Sequence, residues 1–236
     1  MADIFSVIDG ISGQVDRIAH HAAVDPAQRN RDGQTLAGLA DEACRLAQRS
    51  ATIARSVAQS LQLLNGGQFR FRTPEEARML SSVVAGVFPD PKRVETGISE
   101  LLLNAVEHGN LGISYDEKTR LLATGALDDE IARRLLLPKY SARQAMVEIG
   151  RDTSEIWLIV KDEGEGFDWQ PYLEFSDERA CDSHGRGIAT ARLMCFSRLE
   201  YRGKGNEVLA AVRLLTASPK GDAIGVSGQE TGVNGR

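Results

Sequence analysis

The chain has 236 residues, enough for one large domain or for a domain of about 150 residues with an appendage. Hydrophobic residues make up 42% and charged residues 26%, which is ordinary for a globular protein, and the net charge of −5 argues against a nucleic-acid-binding surface. No apolar run approaches the roughly 20 residues that cross a bilayer, and the N-terminus does not resemble a signal peptide. The three scattered cysteines lack metal-ligand spacing, so we expect a cytoplasmic protein without membrane contact.

The first 66 residues have the pattern of a helical hairpin. Apolar residues recur at alternating intervals of four and three between Ile4 and Ala22, and a similar pattern runs from Leu36 to Leu64. A polar turn separates the two patterns, and Asn-Gly-Gly ends the second. Because two helices bury little surface by themselves, we expect residues 1–66 to pack on the rest of the chain or to form a homodimer.

Residues 67–216 have the pattern of a mixed α+β domain. Alternating runs predict strands at QFRFR, RQAMVEIG, EIWLIVKD, RLEYRG and EVLAAVRLL. Helices are predicted to begin at Pro74, at Pro91 and near GIATARLMCF, where the apolar residues recur with helical spacing. The domain is therefore predicted to combine a sheet built from hairpins with several helices.

Three further features complete the predicted organisation. The segment 111–140 predicts two short helices that are divided at Gly125. Trp157, in the middle of an apolar strand, is expected in the hydrophobic core. Residues 217–236 are rich in Gly and Ser and are expected to form a disordered tail.

The helix that begins near Pro91 contains the stretch ISELLLNAVEHGN, residues 98–110. On a wheel of 100° per residue its apolar side chains fall on one side. The polar side chains fall together on the other: Glu100, Asn104, Glu107 and His108. Glu100 and Asn104 are four residues apart, and a carboxylate beside an amide oxygen suits a hard cation such as Mg²⁺. The alternative interpretation is a capped surface helix with a chance acid–amide pair.

Two glycine-containing loops follow. Asp162 ends a predicted strand and opens DEGEGF, and a buried aspartate accepts well from the exocyclic amine of a purine. Gly164 and Gly166 in this loop let the backbone approach a ring or a phosphate. In SHGRGIATARL, Gly185 and Gly187 precede a helix, whose free N–H groups attract phosphate. Either loop alone has ordinary loop composition, but the three elements in this order indicate a nucleotide site.

Together, ELLLNAVEHGN, DEGEGF and HGRGI resemble the N, G1 and G2 boxes of the GHKL ATPase superfamily. The motif NAVEHGN is most similar to that of the anti-sigma-factor serine/threonine kinases of bacteria. The resemblance covers roughly residues 68–215. It implies a two-layer α/β sandwich, the GHKL or Bergerat ATP-binding fold, preceded here by the helical hairpin. It also implies binding of ATP and Mg²⁺ and a role in bacterial signalling or transcription control as a protein kinase.

The resemblance assigns roles to individual residues. Asn104 would coordinate Mg²⁺, Glu100 would be the general base for the attacking hydroxyl, and Asp162 would bind the adenine amine. The remaining residues of the three boxes would shape the pocket and wrap the phosphates: His108, Asn110, Gly164, Gly166, Gly185, Arg186 and Gly187. The implied partner is a sigma factor, an anti-sigma antagonist or another signalling protein.

The hairpin leaves other functions open. In sensor kinases a two-helix hairpin precedes the ATP-binding domain and carries a phosphoacceptor histidine, and the pair His20 and His21 is followed by Pro26 at similar spacing. Ala22 stands where those proteins usually carry an acid. A histidine kinase, a histidine phosphotransfer protein and a non-catalytic GHKL-fold adaptor are therefore alternatives. The segment 111–140 is longer than a minimal domain needs, and we interpret it as structural decoration or a partner surface.

Overall fold

The computed structural model describes residues 36–173 and 186–214. It combines helices and strands, as expected of a mixed α+β domain. In chain order they are α1 (Leu36–Gln62), β1 (Gly66–Phe71), α2 (Pro74–Ala85), α3 (Pro91–Asn104), α4 (Tyr115–Thr124), α5 (Leu127–Leu136), β2 (Ala145–Arg151), β3 (Glu155–Lys161), α6 (Gly187–Thr190), β4 (Arg198–Arg202) and β5 (Glu207–Arg213). Short π-helical segments, Ala105–Asn110 and Ala191–Cys195, continue α3 and α6.

The strands form one five-stranded sheet in the order β1-β2-β3-β5-β4. Every neighbouring pair is antiparallel, and the register places Leu158 of β3 between Ile149 of β2 and Ala210 of β5. A tight turn joins β2 to β3, where the Asp152 carboxylate accepts from the backbone N–H groups of Ser154 and Glu155 at 2.6 and 2.9 Å. This mixed architecture is compatible with the predicted two-layer sandwich.

One face of the sheet carries the hydrophobic core. Ile156, Leu158 and Val160 alternate along β3 and are buried against the helices. Trp157 points to the opposite face, where it is half-buried and packs over Gly150, so a Cβ built there would lie 2.2 Å from the indole Cζ2. The prediction of Trp157 in the core was wrong because period-2 alternation sends it to the other side of a sheet that helices cover on one face.

Helix α3 lies at the centre of the helical layer, between α2 and α6. Asp90 caps its start by accepting from the Arg93 N–H at 3.3 Å, and Pro91 occupies the first turn. Gly97 lets α6 approach closely, because a Cβ built there would lie 2.7 Å from Cys195 Cβ. The apolar side of α3 is buried in the core, at Val94, Ile98, Leu101 and Leu102. The core therefore fixes the position of the polar side.

Helix α1 corresponds to the second helix of the predicted hairpin. Its half-buried side chains follow a helical stripe that ends on the core: Ala43, Leu46, Ser50, Ile53, Val57 and Leu61. Leu61 packs against Gly86, where a built Cβ would lie 2.8 Å from Leu61 Cδ1. The predicted first helix with His20 and His21, and the tail 217–236, lie outside the described residues. None of the described helices combines the length and hydropathy needed to span a bilayer.

The segment 111–140 folds as the two short helices predicted, with Gly125 between them in a left-handed conformation at φ 68°. Arg134 of α5 is buried and holds the two helices together. Its guanidinium forms ion pairs with Glu117 and Glu130 and donates to the Leu111 carbonyl at 2.9 Å. Arg134 thus ties both helices to Leu111, the residue that follows the π-helical segment.

Candidate functional site

A cavity of about 740 Å³ lies beside the polar side of α3, which is within the range of about 300–1,000 Å³ typical of small-molecule sites. Its walls come from α3, the 111–140 segment, the end of β3, the start of β5 and the start of α6. Seven predicted site residues line it together: Glu100, Asn104, His108, Asp162, Gly166, Arg186 and Gly187. Gly164 lies behind the wall, and Gly185 is outside the described residues.

Asp162 is held at one end of the cavity, just after β3. Its backbone N–H donates to the Asn206 carbonyl and its carbonyl accepts from Asn206 Nδ2, both at 3.0 Å. Its Oδ1 accepts from the Gly164 N–H at 2.8 Å. Burial raises the pKa of Asp162 to about 6, although the Gly164 N–H, Lys204 and Arg143 act in the opposite direction. A half-buried acceptor of this kind is suited to an incoming N–H donor.

Gly109 makes room for this carboxylate, and the sequence reasoning assigned it no role. A Cβ built on Gly109 would lie 2.3 Å from Asp162 Cγ, and one on Gly164 would lie 2.3 Å from the Gly109 carbonyl oxygen. The three residues are therefore packed directly on one another. A glycine inside the helical stretch NAVEHGN was the available signal, since glycine weakens a helix unless a close approach requires it.

We expect Gly109→Ala to displace Asp162 and to lower the free energy of unfolding by about 1–3 kcal/mol, because the added methyl overlaps a carboxylate in a packed wall. Thermal or urea unfolding measures this change. Gly67→Ala is the matched control, because its built Cβ meets the Leu64 Cδ2 at an ordinary 3.6 Å. Equal stabilities of the two variants would show that Gly109 and Asp162 are not packed as described.

Glu100 lines the cavity against the start of α6, nine residues before Gly109 on the same helical run and thus away from Asp162. A Cβ built on Gly187 would lie 2.0 Å from Glu100 Oε2, so only glycine allows the carboxylate this position. Burial raises the pKa of Glu100, Lys118 lowers it, and Glu107 adds to the increase. A carboxylate with a raised pKa at a cavity wall is suited to accept a proton. Asn104, one turn further along α3, borders the same space.

Glu107 departs from the predicted polar side of the helix. The regular wheel placed it with Glu100 and Asn104, but residues 105–110 are π-helical, and the wider turn rotates the following side chains. Glu107 is buried at 3% exposure, does not line the cavity, and pairs with Lys118 Nζ at 2.5 Å. His108 remains on the cavity wall, with its Nδ1 against the Ile113 carbonyl.

Asn110 is buried behind the cavity rather than on its wall, contrary to the expectation that it lines the pocket. Its Oδ1 accepts from the Glu163 N–H at 2.9 Å, and its carbonyl accepts from Arg143 Nη1 at 3.0 Å. Asn110 therefore ties the π-helical segment to the loop that follows Asp162. The end of the π-helical segment and the loop after β3 are thus fixed to one another.

The 111–140 segment forms a wall of the cavity, and the interpretation as structural decoration missed this. Tyr115 and Lys118 of α4, with Lys139 and Tyr140 after α5, line the space together with Arg143. The cationic groups of Lys118, Lys139 and Arg143 therefore border a cavity that also carries the carboxylates of Glu100 and Asp162. The sequence offered little signal, because the basic residues of this segment are not in a recognisable motif.

Aromatic side chains form another wall, beyond Gly166. Gly166 adopts φ 82° and lies so close to Lys204 that a built Cβ would be 2.1 Å from its carbonyl oxygen, while the Phe167 N–H donates to that oxygen at 3.0 Å. The Phe167 ring meets Tyr172 and Tyr201 edge-to-face, with centroids 5.9 and 5.4 Å apart. These rings offer an apolar surface near Asp162 for a flat ligand.

No cluster of three or more His, Cys, Asp or Glu side chains suited to a metal occurs among residues 36–173 and 186–214. Asn104 faces the cavity as a single oxygen donor. A divalent cation held there would take most of its ligands from a bound phosphate chain and from water, as Mg²⁺ commonly does.

No known protein family model matches the chain. A stretch of 62 residues is 44% identical to methyl-accepting chemotaxis protein I of Escherichia coli (strain K12). That stretch covers 26% of this chain and 11% of the chemotaxis protein. A match over so small a share of both proteins does not assign this chain to a family.

Proposed function

We propose that this protein is an ATP-binding protein of the GHKL type that acts as an anti-sigma-factor-like serine/threonine kinase. The observation that carries the proposal is that Asn104 and Asp162, predicted for opposite ends of one nucleotide, border a common cavity. The five-stranded antiparallel sheet with helices on one face is compatible with that fold. The cavity volume of about 740 Å³ leaves space for a purine nucleotide.

The residues present fit ATP and Mg²⁺ by their chemistry. Asp162 offers a half-buried acceptor to the adenine amine, and Phe167 and Tyr201 offer ring faces beside it. Gly187 keeps the backbone at the start of α6 close to Glu100, where phosphate would approach. Asn104 would hold Mg²⁺ together with the phosphates. Bound ATP would supply the phosphoryl group, and Mg²⁺ would neutralise its charge.

Glu100 is proposed as the general base. It would take the proton from a serine or threonine hydroxyl as that oxygen forms its bond to the terminal phosphorus, while the bond to the ADP oxygen breaks. Burial raises the pKa of Glu100, which makes its carboxylate a stronger base than an exposed one. The hydroxyl comes from a partner protein that reaches the open side of the cavity.

The partner is proposed to be a sigma factor, an anti-sigma antagonist or another signalling protein. The partial likeness to a methyl-accepting chemotaxis protein is consistent with a signalling role in a bacterium. The apolar repeat of residues 1–66 is the basis for proposing a homodimer formed through the hairpin. The net charge of −5 does not favour a nucleic acid as the partner.

The test is incubation with labelled ATP, Mg²⁺ and candidate partner proteins, followed by mass spectrometry. We expect phosphate on a serine or threonine of a partner, in a linkage that survives acid. An acid-labile product on His20 or His21 would instead support the histidine kinase alternative. ATP binding without any transfer would support the non-catalytic adaptor.

A further inference from the structure

Different cations act on the two carboxylates of the cavity, Asp162 and Glu100. Arg143 and Lys204 act on Asp162, whereas Lys118 acts on Glu100. Lys118 and Glu100 both line the cavity, and Lys118 is the cation that lowers the pKa of Glu100. In the proposed function the purine lies at the Asp162 end, and the phosphate chain therefore extends toward Lys118.

Lys118 is held in place at the cavity wall. Its Nζ lies 2.5 Å from Glu107 Oε2, and the two side chains are 16% and 4% exposed. Glu107 itself does not line the cavity, but Lys118 and Asn104, the residue proposed to hold Mg²⁺, both do. The contact with Glu107 Oε2 is an ion pair and not a hydrogen bond. An ammonium has three N–H donors, and those of Lys118 can donate to a ligand in the cavity that Lys118 lines.

We propose that Lys118 binds the terminal phosphate of the nucleotide and makes the site prefer a nucleoside triphosphate to a diphosphate. This inference rests on the proposed function and deepens it. A diphosphate chain ends earlier and carries less charge, so it gains less from a cation at this end of the cavity. The segment 111–140 thereby contributes a ligand-binding group and not only a wall.

The test must separate the charge of Lys118 from the stability of the buried pair. Removing Lys118 alone would leave the Glu107 carboxylate buried without its counter-charge, which is strongly destabilising. The single variant Glu107→Gln and the double variant Glu107→Gln with Lys118→Met therefore form the decisive comparison. Both lack the carboxylate, and they differ only at Lys118.

Calorimetric titration with ATP and with ADP, in the presence of Mg²⁺, gives the ratio of the two affinities. We expect Glu107→Gln to retain the wild-type preference for ATP and the double variant to lose it by about tenfold or more, with ADP affinity little changed. Arg120→Met, an exposed charge removal on the same helix, should leave the ratio unchanged.

An unchanged ratio in the double variant, with ATP still bound, would overturn the role of Lys118 and leave the proposed function intact. Equal losses of ATP and ADP affinity would also overturn it, because Lys118 would then act on the whole site. If the wild-type chain bound neither nucleotide, the proposed function and this inference would fail together.

Discussion

Asn104→Ala is expected to reduce phosphoryl transfer by about a hundredfold or more, with the fold intact. Asn104 ends α3 and lines the cavity, where its amide oxygen would hold Mg²⁺ beside the phosphates. Without the amide oxygen the cation loses its protein ligand, and the charge that develops on the transferring group is less well neutralised. Alanine favours a helix at least as well as asparagine, so unfolding should change little.

The measurement is the rate of phosphate transfer at saturating ATP over a range of Mg²⁺ concentrations. We expect the variant to need more Mg²⁺ as well as to transfer more slowly. Asn65→Ala, an exposed asparagine away from the cavity, controls for the loss of an amide in general. A variant with the full rate and unchanged Mg²⁺ dependence would show that Asn104 is not the ligand.

Glu100→Gln is expected to bind ATP within about twofold of wild type and to lower turnover by about 10²–10⁴-fold. The substitution keeps the shape of the side chain against Gly187 but removes the acceptor of the proton. Nucleotide calorimetry gives the affinity, and single-turnover phosphate transfer gives the rate. Glu95→Gln, a carboxylate-to-amide change on the same helix outside the cavity, should leave both unchanged.

We also expect the wild type and Glu100→Gln to differ in the pH dependence of turnover. A general base works in its ionised form, so wild-type turnover should rise with pH as Glu100 loses its proton. Burial raises that pKa above the ordinary value of 4.5, so the rise is displaced toward neutral pH. The slow residual rate of Glu100→Gln should lack this step. If ATP affinity and turnover fell together in the variant, Glu100 would have a structural role instead.

The sequence predicted those parts of the site that depend on local pattern. Asp162 could be located because an alternating strand ends just before it, and Glu100 and Asn104 because four-residue spacing joins them on a helix. The helix starts at Pro74 and Pro91 likewise follow from residue type and position. These features need only neighbouring residues to define them.

Other parts of the site depend on packing between distant segments. The π-helical turn at 105–110 moves Glu107 out of the predicted polar side, and its ion pair needs Lys118 from the next helix. Gly109 is required by the position of Asp162, more than 50 residues later in the chain. Trp157 could be assigned to a strand but not to a face, because alternation does not reveal which side the helices cover.

The most direct test is calorimetric titration of the full chain with ATP and Mg²⁺. If a magnesium–nucleotide binds between Asn104 and Asp162, we expect saturable binding at one site per chain. The dissociation constant should lie in the micromolar to millimolar range. Absence of any binding up to millimolar ATP would contradict the nucleotide site itself.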